Sequence, residues 1–376
     1  MRIGVAKETA QGEKRVSIVP ESIPKLGTEV TVERGAGAHA GYEDSAYEGA
    51  GAKIAPDAGA IFSENDLIIK IAPPSPHEAA QFKEGSSLIS YLYPLNNIES
   101  VQQLAKRKVS AFALDLMPRI SRAQSMDTLS SQANLAGYKA ALMAADSLPK
   151  IFPLMMTAAG TIAPAKVFVI GAGVSGLQAI ATARRLGALV EAYDVRPTVK
   201  EQIESLGAKF VELPIQVADA QTTGGYAKAQ SEEFYKKQTE LLAQRIAGVD
   251  AVISTALVPG KPAPVLISED AVKGMRPGSV IVDLAAEQGG NCAITEPGKS
   301  IVKHGVLIHG PLNIPSSIAP QASQLFSRNV TTYFLAIAKN GVLTFDMNDD
   351  LVKGPLVLNK GEAVYGPLKA AMGASP

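Results

Sequence analysis

The stretch that decides the fold is AKVFVIGAGVSGLQAIATARRLGALVEAYDVR, residues 165–196. It opens with an apolar run at residues 167–170, which is short enough for one buried parallel strand. A glycine turn follows over residues 171–176, and then an apolar pattern with helical spacing that Gly187 ends. Residues 189–193 predict the next strand, and Asp194 closes it. Strand, glycine turn, helix, strand and acid in this order indicate a dinucleotide-binding site.

Each glycine of this turn has a physical task. Gly171, Gly173 and Gly176 permit a tight turn, a close approach of the pyrophosphate to the backbone, and close packing of helix on sheet. The helix N-terminus, with Val174 and Ser175, presents backbone N–H groups and partial positive charge to the phosphates. We therefore predict a phosphate cradle here; the alternative is a glycine-rich turn that binds nothing.

The acid after the second strand bears on the choice of cofactor. Asp194 can accept hydrogen bonds from the adenosine ribose and would repel a 2′-phosphate, which favours NAD over NADP. Arg196 lies two residues further on and could serve a 2′-phosphate, so the preference is not absolute. We place Val195, between the two, among the cofactor-binding residues.

Composition narrows the class of protein. The chain has 376 residues, enough for two domains, and its 36 basic and 36 acidic residues cancel. A basic surface for nucleic acid or a membrane is therefore not indicated. Cys292 is the only cysteine and fits a reducing compartment, and the four histidines lack metal-ligand spacing, so we expect no metal site. Neither a signal peptide nor a membrane-spanning apolar run is expected.

Alternating strand and helix patterns predict an α/β protein with two Rossmann-like doubly wound parallel-sheet domains, joined by long helices with a cleft between them. The long helices are expected over residues 127–148, with Asp127 as the N-cap, and over residues 319–339. Residues beyond Gly341 are expected to be surface segments. The predicted ranges are 1–127 plus 318–376 for the N-terminal domain, 140–310 for the NAD(H)-binding domain, and 128–139 and 311–317 for the connecting segments.

One predicted loop is unusually long. Residues 217–230, VADAQTTGGYAKAQ, are polar and contain two adjacent glycines. Long loops inside compact domains are usually functional or disordered. We interpret this one as a lid over the nucleotide, with Tyr226 at its tip and Gly225 giving it freedom; the alternative is an inert surface insertion.

Three further stretches resemble the nucleotide-binding first domain of proton-translocating NAD(P) transhydrogenases. They are MPRISRAQSMDTLSSQANLAGY at 117–138, TTGGYAKAQSEEF at 222–234, and ALVPGKPAPVLISEDAVKGMRPGSVIVDLAAEQGGN at 256–291. The resemblance extends over nearly the whole chain and implies the peripheral, NAD(H)-binding α1-type subunit. It further implies a homodimer, direct hydride transfer between NADH and NADP⁺ held by a partner β subunit, and proton translocation by membrane-spanning subunits. The expected location is the cytoplasmic face of the inner membrane.

The same resemblance implies the residues of the reaction site. Arg119, Gln124, Asp127 and Ser130 would form a polar loop that faces the nicotinamide half of the cofactor. For Arg119 and Gln124 the alternative is a solvated loop, and for Asp127 it is a plain helix cap. Two residues after a predicted strand, Thr255 and Leu257, would contact the adenine or ribose.

Alanine dehydrogenase is the nearest relative with this layout. The pattern shared by both families includes an N-terminal arginine, matched by Arg15, and a lysine, matched by Lys70. The catalytic histidine and aspartate of alanine dehydrogenase are matched by Tyr93 and Glu287 here. Since a tyrosine ordinarily titrates near pH 10, it is a poor proton acceptor at neutral pH. A free-standing amino-acid dehydrogenase therefore becomes the alternative function, and a non-catalytic nucleotide sensor is a weaker one.

Overall fold

The computed structural model describes residues 1–215, 231–258 and 261–373. The chain forms two compact units, one of Met1–Gln132 with Pro315–Pro376 and one of Ala133–Ile314. Each unit is built on a mainly parallel sheet flanked by helices, which confirms the predicted fold class. No helix among the described residues is long and apolar enough to cross a membrane.

The first unit contains an eight-stranded sheet. Its first six strands in chain order are parallel, and the strand order reverses beside Arg2–Val5, which lies between Glu29–Glu33 and Leu67–Ile69. Such a reversal is characteristic of doubly wound sheets. In spatial order the strands are Glu362–Ala363, Leu356–Asn359, Ser110–Ala113, Ser87–Ser90, Leu67–Ile69, Arg2–Val5, Glu29–Glu33 and Lys53–Ala55.

The expectation that residues beyond Gly341 are surface segments is wrong for the strand Leu356–Asn359. This strand pairs antiparallel with Ser110–Ala113, and Leu356, Val357 and Leu358 are almost fully buried. The run LVLN is too short and too far along the chain from its partner strand for sequence reasoning to assign it to this sheet.

Helices cover the first sheet, and the longest of them supplies much of one core. In Ala319–Ile337 the side chains of Phe326, Val330, Tyr333 and Phe334 are buried at helical spacing, so one face packs inward. The α-helices of this unit are Ile23–Leu26, Asp44–Gly49, Ala58–Glu64, Pro76–Ala80, Ile98–Lys106, Ala319–Ile337, Asp350–Lys353 and Gly366–Gly373.

The second unit contains a seven-stranded sheet with the strand order of a dinucleotide-binding domain. Residues of the central strand Lys166–Ile170 alternate between two cores, with Val167 and Val169 in one and Phe168 and Ile170 in the other. In spatial order the strands are Lys209–Phe210, Leu189–Tyr193, Lys166–Ile170, Ala251–Ser254, Val280–Asp283, Val306–His309 and Ser300–Lys303. The last of these is an antiparallel edge strand that the sequence did not predict.

The remaining helices are Thr128–Ser147, Val174–Arg185, Lys200–Ser205, Glu232–Ile246 and Glu269–Lys273. The boundary between the two units falls inside the first of them. A small hairpin, Met155–Thr157 with Gly160–Ile162, leads into the second sheet, and all six of its residues are exposed.

Candidate functional site

The glycine turn after the strand Lys166–Ile170 is held in one shape by the protein. Gly171 has a φ of 94°, a left-handed conformation that glycine adopts without steric cost. Its carbonyl oxygen accepts a hydrogen bond from the Thr255 hydroxyl at 3.1 Å. A Cβ on Gly176 would stand 1.9 Å from the same carbonyl oxygen. The fold of the turn itself therefore requires the first and third glycines.

Gly173 differs from them, because nothing around it in the described residues requires glycine. Its φ of −74° suits any residue, and a Cβ on it would meet no described atom within 4 Å. It stands at the N-cap of the helix Val174–Arg185 without a capping side chain, which leaves the first helical N–H groups to an anion. An absent Cβ on an open backbone is the cradle that a dinucleotide pyrophosphate needs.

Gly137 was missed by the sequence predictions, although it sets the position of this helix. A Cβ on Gly137 would stand 2.0 Å from the carbonyl oxygen of Ser175. The long helix Thr128–Ser147 can therefore approach the first turn of Val174–Arg185 only where it lacks a side chain. The available signal is an isolated glycine in a helical pattern, which costs about 1 kcal/mol relative to alanine and so calls for a packing reason.

Asp194 lies beside the turn and is only 7% exposed. Its Oδ2 accepts a hydrogen bond from the backbone N–H of Ala172 at 2.7 Å, so the acid also supports the glycine turn. The Arg196 guanidinium pairs with both oxygens, with Nε 2.8 Å from Oδ1 and Nη2 2.8 Å from Oδ2. A ribose hydroxyl must therefore share this carboxylate with Arg196 or displace it. The neighbouring Val195 is partly buried.

Thr255 and Leu257 follow the strand Ala251–Ser254, as predicted. Thr255 is partly buried and Leu257 is exposed. The residue between them, Ala256, donates its N–H to Asn291 Oδ1 at 2.9 Å and accepts from Asn291 Nδ2 at 2.8 Å. Asn291 is fully buried and was not predicted as a site residue. It positions the loop that carries the two predicted contacts.

A second buried polar residue ties neighbouring strand ends together. Asp283 ends its strand with 0% exposure and accepts four hydrogen bonds. Its Oδ1 accepts from the Ser254 hydroxyl at 3.0 Å and from the Ala285 N–H at 3.1 Å. Its Oδ2 accepts from the Cys292 N–H at 3.0 Å and from the Thr295 hydroxyl at 2.8 Å. An acid directly after an apolar run was the signal in the sequence.

The residues predicted to face the nicotinamide half lie in the first unit. Arg119 and Gln124 are exposed, and Gln124 lies in the short 3₁₀ helix Ser121–Met126. Asp127 Oδ1 accepts from the Ser130 N–H at 2.9 Å, and Oδ2 accepts from the Ser130 hydroxyl at 2.6 Å. The structure thus brings Asp127 and Ser130 together, and Asp127 caps the long helix.

The Ser121–Met126 segment is anchored at both ends of its turn. The Asn329 amide donates to the carbonyl oxygen of Ser125 at 2.7 Å. The Arg122 guanidinium forms an ion pair with Asp349. Exposed side chains on this segment are therefore presented by a backbone that the rest of the unit holds.

Tyr93 follows the strand Ser87–Ser90 in an unusual backbone conformation. Its φ is 42°, which for a non-glycine residue costs on the order of 1–3 kcal/mol and persists only where the surroundings enforce it. The Asp115 carboxylate enforces it by accepting from the N–H groups of Leu92 at 2.7 Å and Tyr93 at 3.1 Å. Burial raises the pKa of the Asp115 carboxyl above its ordinary value, although these hydrogen bonds oppose the rise.

Arg15, predicted as a relic of an amino-acid site or a salt-bridge former, forms a buried salt bridge. Its Nε lies 2.8 Å from Glu13 Oε1, its Nη2 lies 2.6 Å from Glu13 Oε2, and its Nη1 donates to Gln132 Oε1 at 2.8 Å. Burial opposes ionisation of Glu13, but the hydrogen bonds and charge of Arg15 outweigh it and lower the pKa of that carboxyl to about 2. The Arg15 donors are thus directed at the protein itself.

Lys70 is likewise paired inside the first unit. It is 1% exposed, and its Nζ lies 3.1 Å from Glu78 Oε1 and 3.6 Å from Glu8 Oε2. Burial opposes its charge, yet the two carboxylates prevail and raise the pKa of the ammonium above its ordinary value. Two acids thus compensate the one buried cation.

The predicted lid, residues 217–230 with Gly225 and Tyr226, lies outside the residues that the structure describes.

Comparison with known proteins shows one family over nearly the whole chain. Residues 4–136 match "Alanine dehydrogenase/PNT, N-terminal domain", and residues 140–366 match "Alanine dehydrogenase/PNT, C-terminal domain". The chain is 50% identical over 379 residues to an NAD(P) transhydrogenase subunit alpha of Rhodospirillum rubrum, covering 98% of this chain and 99% of that protein. It is 30% identical over 389 residues to alanine dehydrogenase of Bacillus subtilis, covering 99% and 95% of the two chains.

A solved structure shares the whole fold. The transhydrogenase from Sinorhizobium meliloti superposes with a TM-score of 0.84 at 42% identity, covering 98% of this chain and 100% of that one. Sequence identity is therefore higher to the transhydrogenase subunits than to the alanine dehydrogenase.

Proposed function

Since the chain belongs to the alanine dehydrogenase/PNT family, we propose that it is the NAD(H)-binding subunit of a proton-translocating NAD(P) transhydrogenase. In this proposal it exchanges a hydride directly between its own NADH and NADP⁺ held by a partner β subunit. Membrane-spanning subunits would couple the exchange to proton movement. The chain would then be peripheral, on the cytoplasmic face of the inner membrane.

The observation that carries the nucleotide portion of the proposal is the open backbone at Gly173. The protein gains nothing from glycine there, whereas a pyrophosphate lying against the helix N-terminus would collide with a Cβ. Gly171 and Gly176 shape the turn, and Asp194 stands beside it with a hydrogen bond to the Ala172 N–H. These groups fit the phosphates and the adenosine ribose of NAD(H).

The bound nicotinamide itself supplies or accepts the hydride. What the protein must add is position, because hydride transfer needs two rings held at a productive distance and shielded from water. Exposed groups on the anchored segment and just before it, Gln124 and Arg119, can hold the carboxamide and fix the ring. Asp127 and Ser130, already bonded to each other, can add a second acceptor and donor.

A homodimer is included in the same proposal, and the hairpin at residues 155–162 supports it. Met156 is 77% exposed, Ile162 45%, and Leu154 just before the hairpin 56%, although all three are apolar. Clustered apolar side chains on a protruding element mark protein–protein contacts more often than solvent-facing surface. A second copy of the chain would cover them.

The alternative function, a free-standing alanine dehydrogenase, has less support. It needs a group near the substrate that exchanges a proton at neutral pH. Tyr93 and Glu287 stand in place of the histidine and aspartate, and Glu287 accepts a backbone hydrogen bond from Asn313 at 2.6 Å. The cations Arg15 and Lys70, which a substrate carboxylate would use, are engaged with glutamates.

The test is to mix the purified chain with an NADP(H)-binding transhydrogenase component and follow hydride exchange between NADH and an NADP⁺ analogue. We expect exchange that needs both components. An Asp194→Ala chain serves as the matched control and should exchange more slowly at limiting NADH. Tight NADH binding without any exchange would favour the nucleotide sensor instead.

A further inference from the structure

Tyr93 is an exposed aromatic residue that the first unit holds rigidly. Its side chain is 42% exposed, in a chain where aromatic residues make up only 5% of the sequence. Its backbone is held in the left-handed region by the Asp115 carboxylate. One residue further on, Pro94 is buried and restricts the chain that leaves it.

The ring of Tyr93 is supported from behind. It stacks on Tyr91 with a centroid separation of 5.9 Å and an interplanar angle of 28°. Tyr91 is 6% exposed and meets Phe326 edge-on at 5.6 Å. Three aromatic rings therefore form a column that runs from the core to the surface, and Tyr93 is its outer end.

This column stands next to the residues that the proposed function places at the nicotinamide. The buried Tyr91 hydroxyl lies near the Thr128 side chain and the charge of Asp127. Phe326 belongs to the helix that holds the Ser121–Met126 segment through Asn329. Both Tyr93 and Asp115 follow the carboxyl ends of adjacent parallel strands, the edge where doubly wound sheets bind ligands.

We infer that Tyr93 is a contact residue of the hydride-transfer site, a fixed aromatic wall on which the nicotinamide ring of the bound NAD(H) packs. This inference rests on the proposed function. A rigid aromatic surface suits a planar ring, and its position at the surface loses little conformational entropy on binding because Asp115 and Tyr91 already hold it. It also explains why the chain maintains a strained backbone at an exposed position.

The absence of tryptophan from the sequence permits a direct test. Tyr93→Trp introduces a single indole, whose fluorescence an oxidised nicotinamide quenches on contact. We expect saturable quenching by NAD⁺, with the dissociation constant that calorimetry gives for the same variant. ADP-ribose, which has the phosphates and adenosine but no nicotinamide, should bind without quenching. The control is Tyr365→Trp, placed beside the C-terminal helix of the same unit, which NAD⁺ should not quench.

A second variant asks whether the contact matters for exchange. Tyr93→Leu should reduce hydride exchange with a saturating partner component by about ten- to a hundredfold, the scale of a small misplacement of reacting atoms. Tyr93→Phe should retain most of the rate, since it keeps the ring. Calorimetric binding of NAD⁺ to the Tyr93→Trp variant without quenching of its indole, or an unchanged exchange rate in Tyr93→Leu, would overturn the inference and leave the proposed function standing. Failure of NAD⁺ to bind the unchanged chain would overturn both.

Discussion

Arg196 and Asp194 form a bidentate ion pair at the end of the strand Leu189–Tyr193, with both nitrogen–oxygen distances at 2.8 Å. The acid that should recognise the ribose is therefore partly neutralised by the cation that could tolerate a 2′-phosphate. Discrimination between NADH and NADPH becomes a property of the pair rather than of Asp194 alone.

Two substitutions should move this discrimination in opposite directions. Asp194→Ala should weaken NADH binding by about 1–3 kcal/mol, the scale of hydrogen bonds to a charged group, and should narrow the gap to NADPH. Arg196→Ala should widen the gap, because an unpaired carboxylate repels a 2′-phosphate more strongly. Titration of both nucleotides measures this, with Glu191→Ala on the same strand as the control. Equal affinities of the unchanged chain for NADH and NADPH would refute the assignment of Asp194.

Replacing the glycines of the turn should separate ligand binding from folding. Gly173→Ala should leave the free energy of unfolding unchanged or raise it by about 0.4–1 kcal/mol, because its φ suits alanine. The same change should weaken NADH binding markedly, since the Cβ would occupy the pyrophosphate position. Gly176→Ala should destabilise the fold by about 1–3 kcal/mol or more through its clash with the Gly171 carbonyl. Thermal unfolding and NADH titration measure both; unaltered NADH affinity in Gly173→Ala would contradict the cradle.

Gln124 should matter more for turnover than for binding. Gln124→Asn shortens the side chain by one methylene, and a misplacement of about 1 Å can cost about a hundredfold in rate. We expect hydride exchange with saturating partner to fall by one to two orders of magnitude on that scale, while the NADH dissociation constant changes far less. Gln103→Asn, on the helix Ile98–Lys106, is the control. A parallel loss of both quantities would mean that the loop only binds cofactor, and no loss would make it a solvated linker.

The chain alone should not oxidise alanine. Tyr93 and Glu287 replace the proton-transfer pair of alanine dehydrogenase, and Arg15 is already bonded to Glu13 and Gln132. Incubation with L-alanine and NAD⁺ should therefore produce no steady NADH absorbance signal, while an authentic alanine dehydrogenase does so under the same conditions. Sustained turnover by this chain would restore the alternative function.

The exposed hairpin should hold two copies of the chain together. Met156→Glu places a charge on its most exposed apolar position and should shift the chain from dimer to monomer, because burying an unpaired charge is costly. Val302→Glu, on the edge strand Ser300–Lys303 and 65% exposed, should not. Light scattering gives the mass of each. A monomeric unchanged chain, or a dimer that survives Met156→Glu, would show that the hairpin has another role.

Much of the second unit could be predicted from the sequence because its signals are local. The strands at 166–170 and 189–193 were predicted with the bounds that the structure has, and Asp127 was predicted as the cap that it forms with Ser130. A buried parallel strand, a glycine turn and a helix cap each depend on a few consecutive residues. The same is true of the resemblance that pointed to the family.

Contacts between distant segments of the chain were decided by the tertiary structure. The strand Leu356–Asn359 joins the first sheet across more than two hundred residues, and no local pattern announces its partner. The Asp115 carboxylate sets the backbone of Tyr93, and the carbonyl of Ser175 forbids a side chain on Gly137. The sequence by itself determined which local elements form and which family they belong to, because periodicity and turn chemistry act within one element. Only the folded chain decided which polar groups meet, because a hydrogen bond between distant residues depends on packing that no short stretch encodes.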